Sequence, residues 1–206
     1  MTDVGLADEI ARRLRAVTPD DVPKRSDFDL NPQNRPAVPR PLRDAAVLVP
    51  LVDRAGGMTV LLTRRTEHLN SHAGQISFPG GRLEDHDSGP EDAALRETEE
   101  ETGIAAHHVS LIGRLDVYET VTGFAVTPVV GIVRPGFELA PDEFEVAEIF
   151  EVPLAFLMDP ANHQRHGGWH NGTKRYWYAM PYGDYYIWGA TAGMLVNLHH
   201  RLGDLC

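Results

Sequence analysis

Leu6, Ile10 and Leu14 recur every four residues and share one face of a helix predicted over residues 3–17. The next stretch, from Pro19 to Pro41, holds six prolines and little apolar periodicity, so it reads as a linker or as an arm laid over the surface. Apolar runs of strand length follow at Ala45–Val52 and Met58–Thr63, with Asp53-Arg54-Ala55-Gly56-Gly57 between them as a hairpin turn. Pro90–Thr102 reads as a helix, with proline in its first turn and Gly103 just past its end. Strands are predicted at Val109–Val117 and Phe124–Val133, a short helix at Pro153–Met158, and a late hairpin from Arg175–Met180 and Tyr185–Trp188. Gly189–Leu202 closes the pattern as a helix. Strands mixed with a few helices imply an α+β sandwich. Two parts are expected: an N-terminal helix and Pro-rich arm over 1–43, and a core domain over 44–206.

The second helix has an arrangement that evenly spread surface charge would not produce. Glu97, Glu100 and Glu101 fall on one arc, while Ala94, Leu95, Thr98 and Thr102 lie opposite as a packing face. Carboxylates at i, i+3 and i+4 repel one another by a few tenths of a kcal/mol per pair, and these sit toward the negative end of the helix dipole. A hard divalent cation removes both penalties by accepting oxygen ligands. Taken alone, such a run also suits a solvated helix face.

Composition narrows the chemistry. Lys and Arg number 19 against 30 Asp and Glu, a formal charge of −11 that repels a phosphate backbone and argues against a nucleic-acid partner. No apolar run approaches the roughly 20 residues that span a bilayer, and Asp3, Asp8, Glu9, Arg12 and Arg13 interrupt any signal-like stretch. The single cysteine, Cys206, precludes an internal disulfide and suits a reducing cytoplasm. Oligomeric state is open, a homodimer included.

The helix and the segment before it resemble the Nudix hydrolase family. Gly81, Asp87 and Arg96-Glu97-Thr98-Glu99-Glu100-Glu101-Thr102-Gly103-Ile104 follow the family box, with Asp87 for Glu, one extra residue before Arg96, and Thr98 at an apolar position. Those departures, with Leu61-Leu62-Thr63-Arg64-Arg65-Thr66, Gly74 and Phe78-Pro79-Gly80-Gly81, resemble the coenzyme A pyrophosphatase branch. Thr66 replaces Ser there, and Asn70 stands where many members carry Arg. The likeness continues through Val126–Gly131, Phe150–Leu154 and Trp188–Gly193, and so covers residues 45–200.

The resemblance implies a Nudix-type α/β/α sandwich with a mixed sheet. It implies an Mg²⁺- or Mn²⁺-dependent enzyme that cleaves coenzyme A or its acyl derivatives to 4′-phosphopantetheine and adenosine 3′,5′-bisphosphate. Metal ligands would be Glu97, Glu100 and Glu101 with the Gly81 carbonyl; Arg96 would orient Glu97, and Glu100 or Glu101 would serve as base. Arg64 and Arg65 at a strand end are candidates to grip substrate phosphates, one of them pointing away by strand alternation. ADP-ribose, a reduced dinucleotide and a diadenosine polyphosphate are the rival substrates. A catalytically silent Nudix ligand sensor is the rival of a different class, and the complete carboxylate set argues against it.

Other candidates carry less. Glu143, Glu145 and Glu148 could supply a base from a loop or helix, although each also reads as surface charge. His163, His166 and His170 imitate a ligand series but flank Pro160 and Gly167-Gly168 in loop-like sequence, while His199 and His200 suit a helix C-terminus. Tyr176, Trp177 and Tyr178 alternate along a strand and divide between core packing and base stacking. Because every box residue lies downstream, the arm is expected to be dispensable for chemistry.

Overall fold

A computed structural model describes residues 3–15, 25–68, 73–170 and 172–203, with side chains of Asp3, Val4 and His170 excluded. Asn70, Cys206 and residues 16–24, on which some of these expectations fall, lie outside the described residues.

The centre of the fold is β2 (Arg43–Val52), flanked by β8 (Phe124–Val133) in parallel and β3 (Thr59–Arg65) in antiparallel pairing. Strand alternation divides β2 between two cores. Ala45, Val49 and Leu51 enter the larger one with Ile10 and Leu14 of α1 (Asp3–Arg15), Leu154 and Leu157 of α3 (Leu154–Met158), and Leu195 and Leu198 of α4 (Ala190–Leu202). Ala46 and Leu48 pack on the other face against Ala93 and Ala94 of α2 (Pro90–Thr102). Helices thus cover both faces of a mixed sheet, the predicted α/β/α sandwich.

Among the described residues nine strands make up that sheet. Its main path runs through β1 (Arg25–Ser26), β7 (Tyr118–Glu119), β8, β2, β3 and β4 (Ile76–Ser77). Beside this path, β5 (Gly80–Arg82) pairs with β2, β6 (Val109–Arg114) with β8, and β9 (Val146–Pro153) with β3. A second, three-stranded sheet contains β10 (Gln164–His170), β11 (Thr173–Tyr182) and β12 (Tyr185–Trp188).

Several elements differ from the sequence reading, the short strands β4, β5 and β7 among them. The arm does not merely lie on the surface: β1 joins the main sheet beside β7, and Ser26, Phe28 and Asn31 are buried. Asn31 accepts from the Tyr176 N–H and donates to the Tyr176 carbonyl, both at 2.8 Å, which ties the arm to β11. Strand β6 stops at Arg114 after a register shift between Leu111 and Gly113, short of the predicted Val117. Residues 146–153, whose first part reads as loop or helix, form β9; Glu148 pairs with Arg64 of β3, and Glu151 with Arg54 in the turn before β3. Residues 164–170 form β10 instead of a loop. Its two glycines leave room for the rings of Tyr176 and Trp177, which a Cβ at Gly167 or Gly168 would crowd.

Candidate active site

Pro90 stands in the first turn of α2, and the helix ends at Gly103, whose N–H bonds the Glu99 carbonyl. Its buried positions are Ala93, Ala94, Thr98, Glu101 and Thr102. Leu95, expected among them, is only partly buried. Thr98 can occupy an apolar position because its hydroxyl donates back to the Ala94 carbonyl at 2.6 Å. The buried Glu101 has no such local partner. It retains 5% exposure, receives a long hydrogen bond from the Gly80 N–H at 3.4 Å, and lies 3.6 Å from the Arg65 guanidinium.

Burial dominates the charge balance of Glu101 and pushes its carboxyl up to about 8; Arg65 pulls the other way, while Glu97 and Glu145 add repulsion. Desolvation likewise raises Glu97, with Arg96 opposing it and Glu100 and Glu145 adding to it. Four acids therefore share one electrostatic neighbourhood, three from α2 and Glu145 from the turn before β9.

Arg96 fixes the geometry of this group. Its Nε and Nη2 each donate to an Asp87 oxygen at 3.0 Å, forming a two-point fork. Nη1 meets Glu97 at 2.9 Å and Glu100 at 3.2 Å, and Nη2 also reaches the Arg82 carbonyl. The Asp87 side chain is 1% exposed, and the hydrogen bonds from Arg96 hold its carboxyl down at about 2. Asp87 thus anchors the arginine despite its shorter side chain and the additional residue before Arg96.

Gly80 and Gly81 bring the loop onto the helix. Gly80 has φ 152°, and a Cβ there would overlap the backbone of Ala46 and Val47. A Cβ at Gly81 would fall on the Glu97 carboxylate, so that carboxylate rests against the Gly81 backbone. Among the described residues no three His, Cys, Asp or Glu side chains are already grouped as a metal cage. The donor set nevertheless suits a hard cation: Glu97 and Glu101 are desolvated oxygen donors with raised proton affinity, which a divalent charge would relieve.

The two arginines at the end of β3 separate. Arg64 pairs with Glu148 at 2.7 Å on the side where Glu148 also accepts from the Tyr185 hydroxyl. Arg65 turns inward, between Glu101 and Glu145, and lines a cavity of about 380 Å³. Of the three loop acids, Glu145 is brought to the carboxylate group; Glu148 belongs to the Arg64 pair and Glu143 is exposed. Sequence reasoning gave no means of ranking them. The histidines make separate contacts: His163 with the Leu157 carbonyl, and His166 with Tyr186 and Gln164. The side chain of His170 lies outside the described residues.

The cavity reaches from Gly80 and Arg65 to the arm and the small sheet. Its walls are largely apolar and aromatic, and include Phe28, Phe78, Trp177 and Trp188. That arm residues wall it was missed, because the arm shows no strand periodicity.

A model of the NUDIX domain matches residues 42–170. The chain belongs to this family. Uncharacterized Nudix hydrolases NudL from Escherichia coli O7:K1 (strain IAI39 / ExPEC) and Shigella boydii serotype 18 (strain CDC 3083-94 / BS512) are each 42% identical to it over 190 residues, covering 92% of this chain and 97% of theirs. Among solved structures, a MutT/nudix family protein from Enterococcus faecalis is similar in fold over 96% of this chain and 74% of its own, with a TM-score of 0.51 and 17% identity. The protein is a Nudix hydrolase acting on a phosphoric anhydride bond, and Nudix hydrolases generally use divalent metal cations. Among the described residues no helix is long and apolar enough to cross a membrane.

Proposed function

We propose that this Nudix hydrolase cleaves the diphosphate of coenzyme A or an acyl derivative, releasing 4′-phosphopantetheine and adenosine 3′,5′-bisphosphate in the cytoplasm. Glu97 and Glu101, with Glu100 beside them and the Gly81 carbonyl, would hold Mg²⁺ or Mn²⁺. Bound there, the cation offsets diphosphate charge and lowers the pKa of the attacking water. Arg96 sets the rotamer of Glu97 through its hydrogen bond while Asp87 holds Arg96 in place. Either Glu100 or Glu101 takes the proton from the water; Glu100 is the more open of the two, with its side chain 59% exposed. Arg65 stands where the carboxylate group meets the cavity and can receive a phosphate oxygen by a charge-assisted hydrogen bond.

The observation that carries the substrate choice is the position of Arg65. It belongs to the Leu61–Gly81 segment that resembles the coenzyme A branch, and it touches both Glu101 and the cavity wall. The test compares coenzyme A with ADP-ribose and a reduced dinucleotide, with products identified by mass. Faster hydrolysis of ADP-ribose would reject coenzyme A and leave the family assignment intact.

A further inference from the structure

The cavity has three charged side chains among its described lining residues, Asp27, Arg65 and Arg175. Arg65 lies beside Glu101 and Glu145, at the end of the cavity assigned above to the diphosphate. Asp27 accepts from the Tyr118 hydroxyl at 3.0 Å and from the Val121 N–H at 2.7 Å, one donor on each oxygen. Burial also pushes the Asp27 carboxyl up, against a partial pull from Arg175. The remaining cation differs from these. Among the described residues, the Nε of Arg175 is buried with no hydrogen-bond partner, and so is the Nδ2 of Asn34, another residue of the same cavity. Buried donors are seldom left unmet, and a guanidinium is an expensive group to leave so. Asn34 comes from the arm and Arg175 from β11, the two elements that Asn31 joins.

We infer that Arg175 and Asn34 form a second anion subsite, which reads a phosphate monoester on the nucleoside part of the substrate while its diphosphate lies at the carboxylate helix. The inference rests on the substrate reading above and adds what that reading lacks, a group able to distinguish two diphosphates that differ only at the ribose. Arg presents a planar fork to phosphate oxygens, and Asn34 adds a neutral donor. The arm thereby becomes part of substrate recognition and not a cover over it.

The experiment measures kcat/KM for coenzyme A and dephospho-coenzyme A, a pair differing only in the 3′-phosphate. The native enzyme should favour the phosphorylated member, and in Arg175→Gln that ratio should fall by roughly ten- to a hundredfold, the range for losing one charge-assisted hydrogen bond. Arg175→Lys should keep part of the preference, and Asn34→Ala should lower it less. Because Asn34→Ala removes only an amide, it also serves if Arg175→Gln does not fold. Calorimetric binding of adenosine 3′,5′-bisphosphate and adenosine 5′-monophosphate repeats the comparison without turnover. If coenzyme A is not hydrolysed but the bisphosphate is preferred and Arg175→Gln removes that preference, the subsite stands and the substrate reading fails. If coenzyme A is hydrolysed but both members of each pair weaken by the same factor, the subsite is rejected and the substrate reading stands.

Discussion

In Glu101→Gln, the most deeply buried carboxylate of the group becomes a neutral amide of nearly the same shape. Without metal, burial holds the native carboxyl at about 8 against an ordinary value of 4.5. A group whose pKa is raised by folding stabilises the protein fully below its unfolded pKa and loses that contribution as pH rises through the folded value. The metal-free native protein should therefore lose stability between pH 5 and 8.5, and the variant should lack that part of the slope. At about 1.4 kcal/mol per pH unit, the interval from 4.5 to 8 bounds the effect near 5 kcal/mol. Water entry and movement of Arg65 reduce this to about 2–4 kcal/mol, or roughly 5–15 °C in Tm for a chain of this size. Thermal unfolding followed by circular dichroism across that pH range, in excess chelator, reads it directly. Saturating Mg²⁺ or Mn²⁺ should flatten the native curve and leave the variant unchanged, while the variant's turnover falls by orders of magnitude. Parallel Tm–pH curves for the two chelated proteins, or full activity in Glu101→Gln, would refute the reasoning.

Arg96→Lys loses the two-point hold on Asp87 along with simultaneous contact to Glu97, so metal titrations of activity should show a ten- to hundredfold weaker apparent affinity, roughly the range for groups that orient ligands. Gly81→Ala places a methyl on the Glu97 carboxylate and should abolish turnover while circular dichroism stays native. Asn31→Ala removes both hydrogen bonds to Tyr176 and should cost about 1–3 kcal/mol in urea unfolding, with a rise in KM for the large substrate exceeding any change in kcat. Removing residues 1–35 tests the original expectation about the arm. With β1 and the Asn31 ties gone, a soluble truncated protein should retain metal dependence but show a higher KM for coenzyme A.

The amino-acid sequence by itself determined the carboxylate helix, because spacing at i, i+3 and i+4 fixes a common arc whatever surrounds it. It likewise determined the end of that helix at Gly103, the β2 and β8 strands, and the layered α/β/α architecture, through local periodicity and the family box. The tertiary structure decided which candidates meet. Arg65 turns to Glu101 whereas its neighbour Arg64 turns to Glu148, and nothing in two adjacent arginines says which will do so. Glu145 reaches the carboxylates because the turn before β9 brings it there, 48 residues beyond Glu97 in the chain. The arm became a strand and a cavity wall through pairing with Tyr118–Glu119 and through the Asn31 contacts to Tyr176, partners about 90 and 145 residues away. Two residues of strand carry no detectable period of their own; a sheet edge elsewhere in the chain gives them their conformation. Burial follows the same logic. Glu100 and Glu101 read alike in the chain, and only the packing of α2 under Gly80 leaves one exposed and the other desolvated.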